Sequence, residues 1–314
     1  MYKYNCEKFF MQDLKQRLLG SDTCKGIILT TLSAVLFGMT PVLTSLTYSM
    51  GGTPETVTFF RNFFVIPVLW LILCLKKIPL LLPWPAIGNI ALFGVIGGGI
   101  TTLLLYMSYP YVGIGTATSL HFLYPVFVCL ICGIFFKEPL GLRKIIVLLI
   151  AGIGILCFLD MRQVTQITGL VIAAISGLTY AIYMVGVEKK KIDQLNPWLI
   201  TFYIAVSVSV FMLLYAVPTK RIVLLLPVKA YLYMFILSML ASLFAVLLLQ
   251  LGIKYLGAST AAILCLFEPV TSIICGAVFL NEAITIEKSI GCILISAAVI
   301  ILAKGKSPSS CAGM

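Results

Sequence analysis

Apolar runs of about twenty residues follow one another from Gly26 to Ala303 with only short interruptions, and each is long enough to cross a bilayer as a helix. A soluble fold would show polar faces at helical or strand spacing. Here the polar faces are missing. The composition agrees, with 61% apolar and 11% charged residues against roughly 45–50% and 25% in an ordinary soluble domain. The expectation is an all-α polytopic membrane protein. The formal net charge of +11 would suggest nucleic acid in a soluble chain; in a membrane protein it reports basic loops at the cytoplasmic face, and no nucleic-acid partner is expected.

The runs predict ten transmembrane helices, at about 26–48, 57–75, 86–108, 114–136, 142–159, 168–187, 198–217, 229–252, 258–280 and 286–303. Turn and interface residues mark the breaks, among them Gly51-Gly52-Thr53-Pro54, Lys76-Lys77 and Lys189-Lys190-Lys191. Residues 1–25 carry Phe10, Met11, Leu14 and Leu18 at helical spacing beside Lys8, Asp13, Lys15 and Arg17, the pattern of a short helix lying on the membrane surface. The run after them is longer than the core of a signal peptide and is expected to be retained. With the amino terminus inside, most Lys and Arg fall on cytoplasmic segments; Arg162, Lys220, Arg221, Lys229 and Lys288 fall outside. Both termini, including the tail 304–314, are therefore expected in the cytoplasm, the chain being integral to the bacterial cytoplasmic membrane.

An internal repeat organises the chain. Tyr111, Gly113, Thr116, Ala117, Pro125, Val126, Phe135 and Glu138 recur 144 residues later as Tyr255, Gly257, Thr260, Ala261, Pro269, Val270, Phe279 and Glu282. Earlier positions recur at 143, as in Gly26 with Gly169, Ser33 with Ser176 and Pro54 with Pro197. The repeats are 26–159 and 168–303, five spans each. Because five is odd, the second copy enters the membrane from the opposite side, giving two inverted five-helix repeats, a hallmark of secondary transporters.

The stretch from Thr116 to Val128, ending at Lys137-Glu138, and its partner from Leu266 to Glu282 resemble the paired repeats of the EamA-type transporters of the drug/metabolite transporter superfamily. The resemblance spans about Gly26 to Ala303, and its specificity lies in the two-copy pattern. Lys137 and Asn281 stand where that family commonly has Gly before the Glu. It implies ten helices and transport of a small metabolite, often export, with an amino acid, a related compound or a drug-like molecule as substrate.

Several residues could carry the chemistry. Glu268 lies about halfway along the ninth span, where a charge costs roughly 2.5–3.5 kcal/mol on insertion scales. Ala261, Cys265, Glu268, Ser272 and Cys275 form one small, mildly polar stripe there. The stripe is expected to line a cavity in which Glu268 binds a proton as coupling ion or a cationic group; the bland alternative is a hydrogen bond to a helix broken at Pro269. The repeat mate of Glu268 is Tyr124, which shares a stripe with Thr118 and His121, the only histidine. His121 is either a substrate or proton ligand or a satisfied packing residue. Phe37 and Tyr180 are mates on the first and sixth spans, with Ser33 and Ser176 one turn before them; all four are candidates for substrate contact, with packing as the alternative. Arg61 either snorkels to the headgroups or faces inward to meet a carboxylate. Glu138 and Glu282 sit beyond their spans and read as structural charges at the start of the next helix.

Other classes find little support. The cysteines lie mainly in apolar runs and read as packing residues, the Cys129–Cys132 pair included. Gly113-Ile-Gly115 lacks the third glycine of a dinucleotide fingerprint, and no Gly-rich loop with Lys and Ser/Thr marks an ATP site. No cofactor is expected, and energy must come from gradients. A membrane enzyme would need clustered carboxylates or histidines, and a channel a continuous polar pore.

Overall fold

The structure, a computed structural model, describes residues 22–159, 164–280 and 283–304. The expected surface helix before residue 22, Glu282 and the tail beyond residue 304 lie outside the described residues. Within them every regular element is helical: α1 (Asp22–Tyr48), α2 (Pro54–Leu75), a run Trp84–Phe135 comprising α3 (84–112) and α4 (114–135), α5 (Leu142–Leu156), α6 (Ile167–Lys189), α7 (Pro197–Ala216), α8 (Val228–Leu256), α9 (Ala258–Leu280) and α10 (Ile286–Lys304). Eight helices among the described residues are long and apolar enough to cross a membrane. The ten expected spans differ from these eight in two places. The run Trp84–Phe135 counts as one long helix although Gly113 interrupts it, and α5 has only 15 residues.

Local chemistry starts and stops these helices. Thr53 caps α2, its hydroxyl accepting from Thr56 N at 3.2 Å with Pro54 in the first turn. Asn196 does the same for α7, accepting from Trp198 N at 3.0 Å ahead of Pro197. Between α3 and α4 Gly113 has φ 75° and ψ 156°; between α8 and α9 Gly257 has φ 77° and ψ 158°. Only glycine takes such angles without strain, and the two positions are 144 residues apart. A π-helical segment at Val95–Ile100 in α3 likewise answers one at Ser238–Ala245 in α8.

Two helices break again near their middles. In α4 the helix ends at His121 and restarts at Tyr124; in α9 a 3-10 turn, Cys265–Phe267, precedes the restart at Glu268. Pro125 and Pro269 explain both, since neither can donate to the carbonyl four residues earlier.

Packing follows the same correspondence. A Cβ added to Gly26 of α1 would lie 2.7 Å from Leu256 and 2.8 Å from Tyr255 of α8. One added to Gly169 of α6 would lie 2.5 Å from Tyr111 and 2.7 Å from Val112 of α3. Mates therefore touch mates, and small residues let the backbones approach. α5 and α10 form an outer pair joined where Gly154 meets Gly291. Their outward faces, including Leu149, Ile153, Ile293 and Ile300, are exposed, as suits lipid contact rather than water. Some buried hydroxyls return to their own helix, as in Thr30 to Gly26 O at 2.8 Å and Thr201 to Pro197 O at 2.8 Å.

Candidate functional site

The helix breaks of α4 and α9 face a central cavity of about 70 Å³. Its walls include Phe37 of α1, Arg61 of α2, Tyr106 of α3, His121 of α4, Tyr180 and Tyr183 of α6 and Glu268 of α9. Five of the eight sequence candidates thus meet around one space. A second cavity of about 60 Å³ involves Thr118, Ser119, Phe122, Pro269, Ser272 and Lys288.

Arg61 and His121 are each held by side chains at the wall. Arg61 is buried rather than snorkelling: Nε donates to Ser242 Oγ at 3.2 Å, and Nη1 donates to Tyr106 Oη at 3.0 Å. His121 Nδ1 lies 2.9 Å from Ser176 Oγ. The Ser176 proton is committed to Ala173 O at 2.6 Å, so Ser176 accepts from His121 Nδ1–H. In the neutral ring this places the proton on Nδ1 and leaves Nε2 as an acceptor. The Tyr180 ring stands edge-on to Tyr124 at 4.8 Å, lies 5.4 Å from His121 and stacks on Tyr183 at 5.7 Å. Glu268 is half-buried on the cavity wall and within electrostatic reach of Arg61. Among the described residues no ion pair joins the two.

The other three candidates lie behind the wall. Ser33 is fully buried and donates to Ala245 O at 2.7 Å, in the π-helical segment of α8. Ser176 orients His121. Tyr124 is fully buried, its ring against Tyr180 and His121. The expected polar stripe of α9 also divides: Glu268 lines the central cavity, Ser272 the second cavity, and Ala261 and Cys265 are buried in packing. A 3-10 turn advances about 120° per residue instead of 100°, so the turn at Cys265–Phe267 rotates the lower half of α9 out of phase with the upper half.

Tyr106 and Ser242, which hold Arg61, escaped the sequence reading. A signal for Tyr106 exists, since its repeat mate is the equally polar and buried Gln250. Glu138 does not cap α5, whose N-cap is Gly141. It pairs instead with Lys189 at the end of α6. Lys189 also pairs with Glu188 at 2.9 Å, and Glu188 accepts from the backbone N–H of Ala258 beside the Gly257 break. Lys144 donates to Ser259 Oγ at 2.9 Å. This polar cluster ties α4, α5, α6 and α9 at one end of the bundle. At another point Arg221 pairs with Glu55 at 3.2 Å; the carboxylate pushes the exposed guanidinium further toward its charged form.

Comparison with known proteins agrees with this architecture. The chain is 27% identical over 275 residues to an uncharacterized transporter of Archaeoglobus fulgidus, covering 86% of this chain and 93% of that one. It is 24% identical to the uncharacterized transporter YcbK of Bacillus subtilis, covering 86% and 90%. A solved crystal structure shares the fold with a TM-score of 0.71 at 16% identity, over 92% of this chain and 99% of its own. The EamA-like transporter family matches twice, at residues 24–159 and 167–304. With two copies of the family's unit covering nearly the whole sequence, this integral membrane protein belongs to the EamA-like transporter family.

Proposed function

We propose that the chain is a secondary active transporter that carries a small metabolite, an amino acid, a related compound or a drug-like molecule, by alternating access, in the direction of export. The observation that carries this reading is the central cavity, walled by helices of both halves and bearing one buried cation and one carboxylate. The two halves, 26–159 and 168–303, are two inverted five-helix repeats with ten crossings. The run Trp84–Phe135 crosses twice by turning at Gly113, and α5 crosses although short. The recurrence of the glycine breaks, the π-helical segments and the α1–α8 and α6–α3 contacts supports this symmetry.

Glu268, His121, Tyr180, Phe37 and Arg61 contact substrate, while Tyr124, Ser33 and Ser176 hold the wall behind them. Glu268 can alternate between a proton, the coupling ion, and a cationic group of the substrate. Both termini lie in the cytoplasm and the membrane is the bacterial cytoplasmic membrane. The pairing of Arg221 with Glu55 offsets one positive charge that this orientation leaves outside.

The test is counterflow in proteoliposomes with labelled amino acids and cationic drugs. A carrier gives saturable uptake that unlabelled substrate on the far side accelerates. Fast flux linear in concentration indicates a channel and contradicts the proposal.

A further inference from the structure

Taking the central cavity as the transport site, we infer that it selects small zwitterions, molecules that carry one anionic group and one cationic nitrogen. Arg61 uses Nε for Ser242 and Nη1 for Tyr106, which leaves Nη2 without a partner among the described residues. Tyr106 accepts from Arg61 at its hydroxyl oxygen and keeps its own proton to donate. A guanidinium edge and a phenol proton together suit a carboxylate. On the α4 and α9 walls the demand is reversed. Glu268 offers carboxylate oxygens that accept no hydrogen bond among the described residues, and His121 offers Nε2 as an acceptor because Nδ1–H is given to Ser176. Two acceptors beside the Tyr180 ring suit an ammonium group.

Charge balance points the same way. Arg61 and Glu268 share the cavity without closing on each other. An anion alone would leave the carboxylate facing it uncompensated, and a cation alone would do the same to the guanidinium. A zwitterion answers both and adds no net charge to a site inside the membrane. Phe37, Leu105, Ile204 and Val246 complete the wall, so an apolar side group is accommodated beside the charged ones.

The experiment uses the full chain in detergent micelles and reads ligand-induced shifts of the melting temperature. The probes are L-leucine and L-phenylalanine as zwitterions. Isopentylamine and phenethylamine supply the amine halves, 4-methylpentanoate and 3-phenylpropionate the acid halves, and N-acetyl-leucinamide is the neutral control. At least one zwitterion should half-saturate at a concentration tenfold or more below its separate halves. Glu268→Gln should bind that zwitterion no better than the acid half, and Arg61→Gln no better than the amine half. If Arg61→Gln fails to fold, the probe series on the parent protein still decides. Halves that bind as well as the whole, or silence from both zwitterions, overturn the inference. Counterflow of the same probes separates the two proposals. A singly charged or neutral compound that is carried while zwitterions are ignored removes the inference and keeps the carrier. A zwitterion that binds by both charges without any compound being carried does the opposite.

Discussion

Replacing Gly38 by alanine probes the contact on which the Glu268 break rests. The added methyl carbon would stand 2.6 Å from the backbone oxygen of Glu268, 2.6 Å from Cβ of Thr271 and 3.1 Å from the backbone nitrogen of Ser272. Carbon atoms settle at about 3.5–4.0 Å from such neighbours, so α1 must retreat from α9 by roughly 1 Å. Two of the three obstacles are backbone, and no side-chain rotation relieves them. Overpacking of this kind costs about 1–3 kcal/mol, and a backbone clash belongs at the upper end. Alanine returns about 1 kcal/mol of helix propensity, leaving a net loss of about 2 kcal/mol. At roughly 2–4 °C per kcal/mol for a large domain, the melting temperature in detergent should fall by about 4 °C or more. The control is Gly152→Ala in α5, where nothing lies within 4 Å of the new methyl; it should melt at or slightly above the parent temperature. A Gly38→Ala protein as stable as Gly152→Ala would refute the close-packed α1–α9 contact.

Three further outcomes can be checked directly. Glu268→Gln keeps shape and most hydrogen bonding, so it should insert normally yet lose uptake driven by an imposed pH gradient in liposomes; equal gradient-driven uptake in parent and variant would leave Glu268 a packing residue. Ser176→Ala removes the acceptor that fixes the His121 tautomer, so substrate affinity should weaken about tenfold, corresponding to roughly 1.4 kcal/mol, while His121→Ala should add little when combined with it; independent, additive losses would break the link. Cysteine labelling from each side of the membrane should find residue 50 outside and residue 190 inside, and labelling of both from the same side would invalidate the crossing count.

The sequence exposed what depends on long stretches and left hidden what depends on helix phase. Apolar runs and the 144-residue recurrence were readable because both average over many residues. Glu268 and His121 stood out because a polar residue at mid-membrane is costly wherever its helix turns. Ser33 and Ser176 could not be placed on the same basis. A constant 100° per residue puts them on the faces of Phe37 and Tyr180, yet both face neighbouring backbone or His121. The split of the α9 stripe has a similar cause in the 3-10 turn at Cys265–Phe267. Arg61 hid for another reason: the choice between snorkelling and inward burial is made by partners far along the chain, Tyr106 and Ser242, and nothing near Arg61 announces them.

The central claim is that the cavity around Arg61 and Glu268 opens to each side of the membrane in turn. A single cysteine at Phe37, in a background with the native cysteines replaced, tests it through labelling by a membrane-impermeant thiol reagent applied to either face of oriented vesicles. Alternating access gives labelling from both faces, with transported substrate altering the two rates in opposite directions and the vesicles remaining tight to ions throughout. Labelling confined to one face under every condition, or labelling from both faces accompanied by steady ion leak, would contradict it.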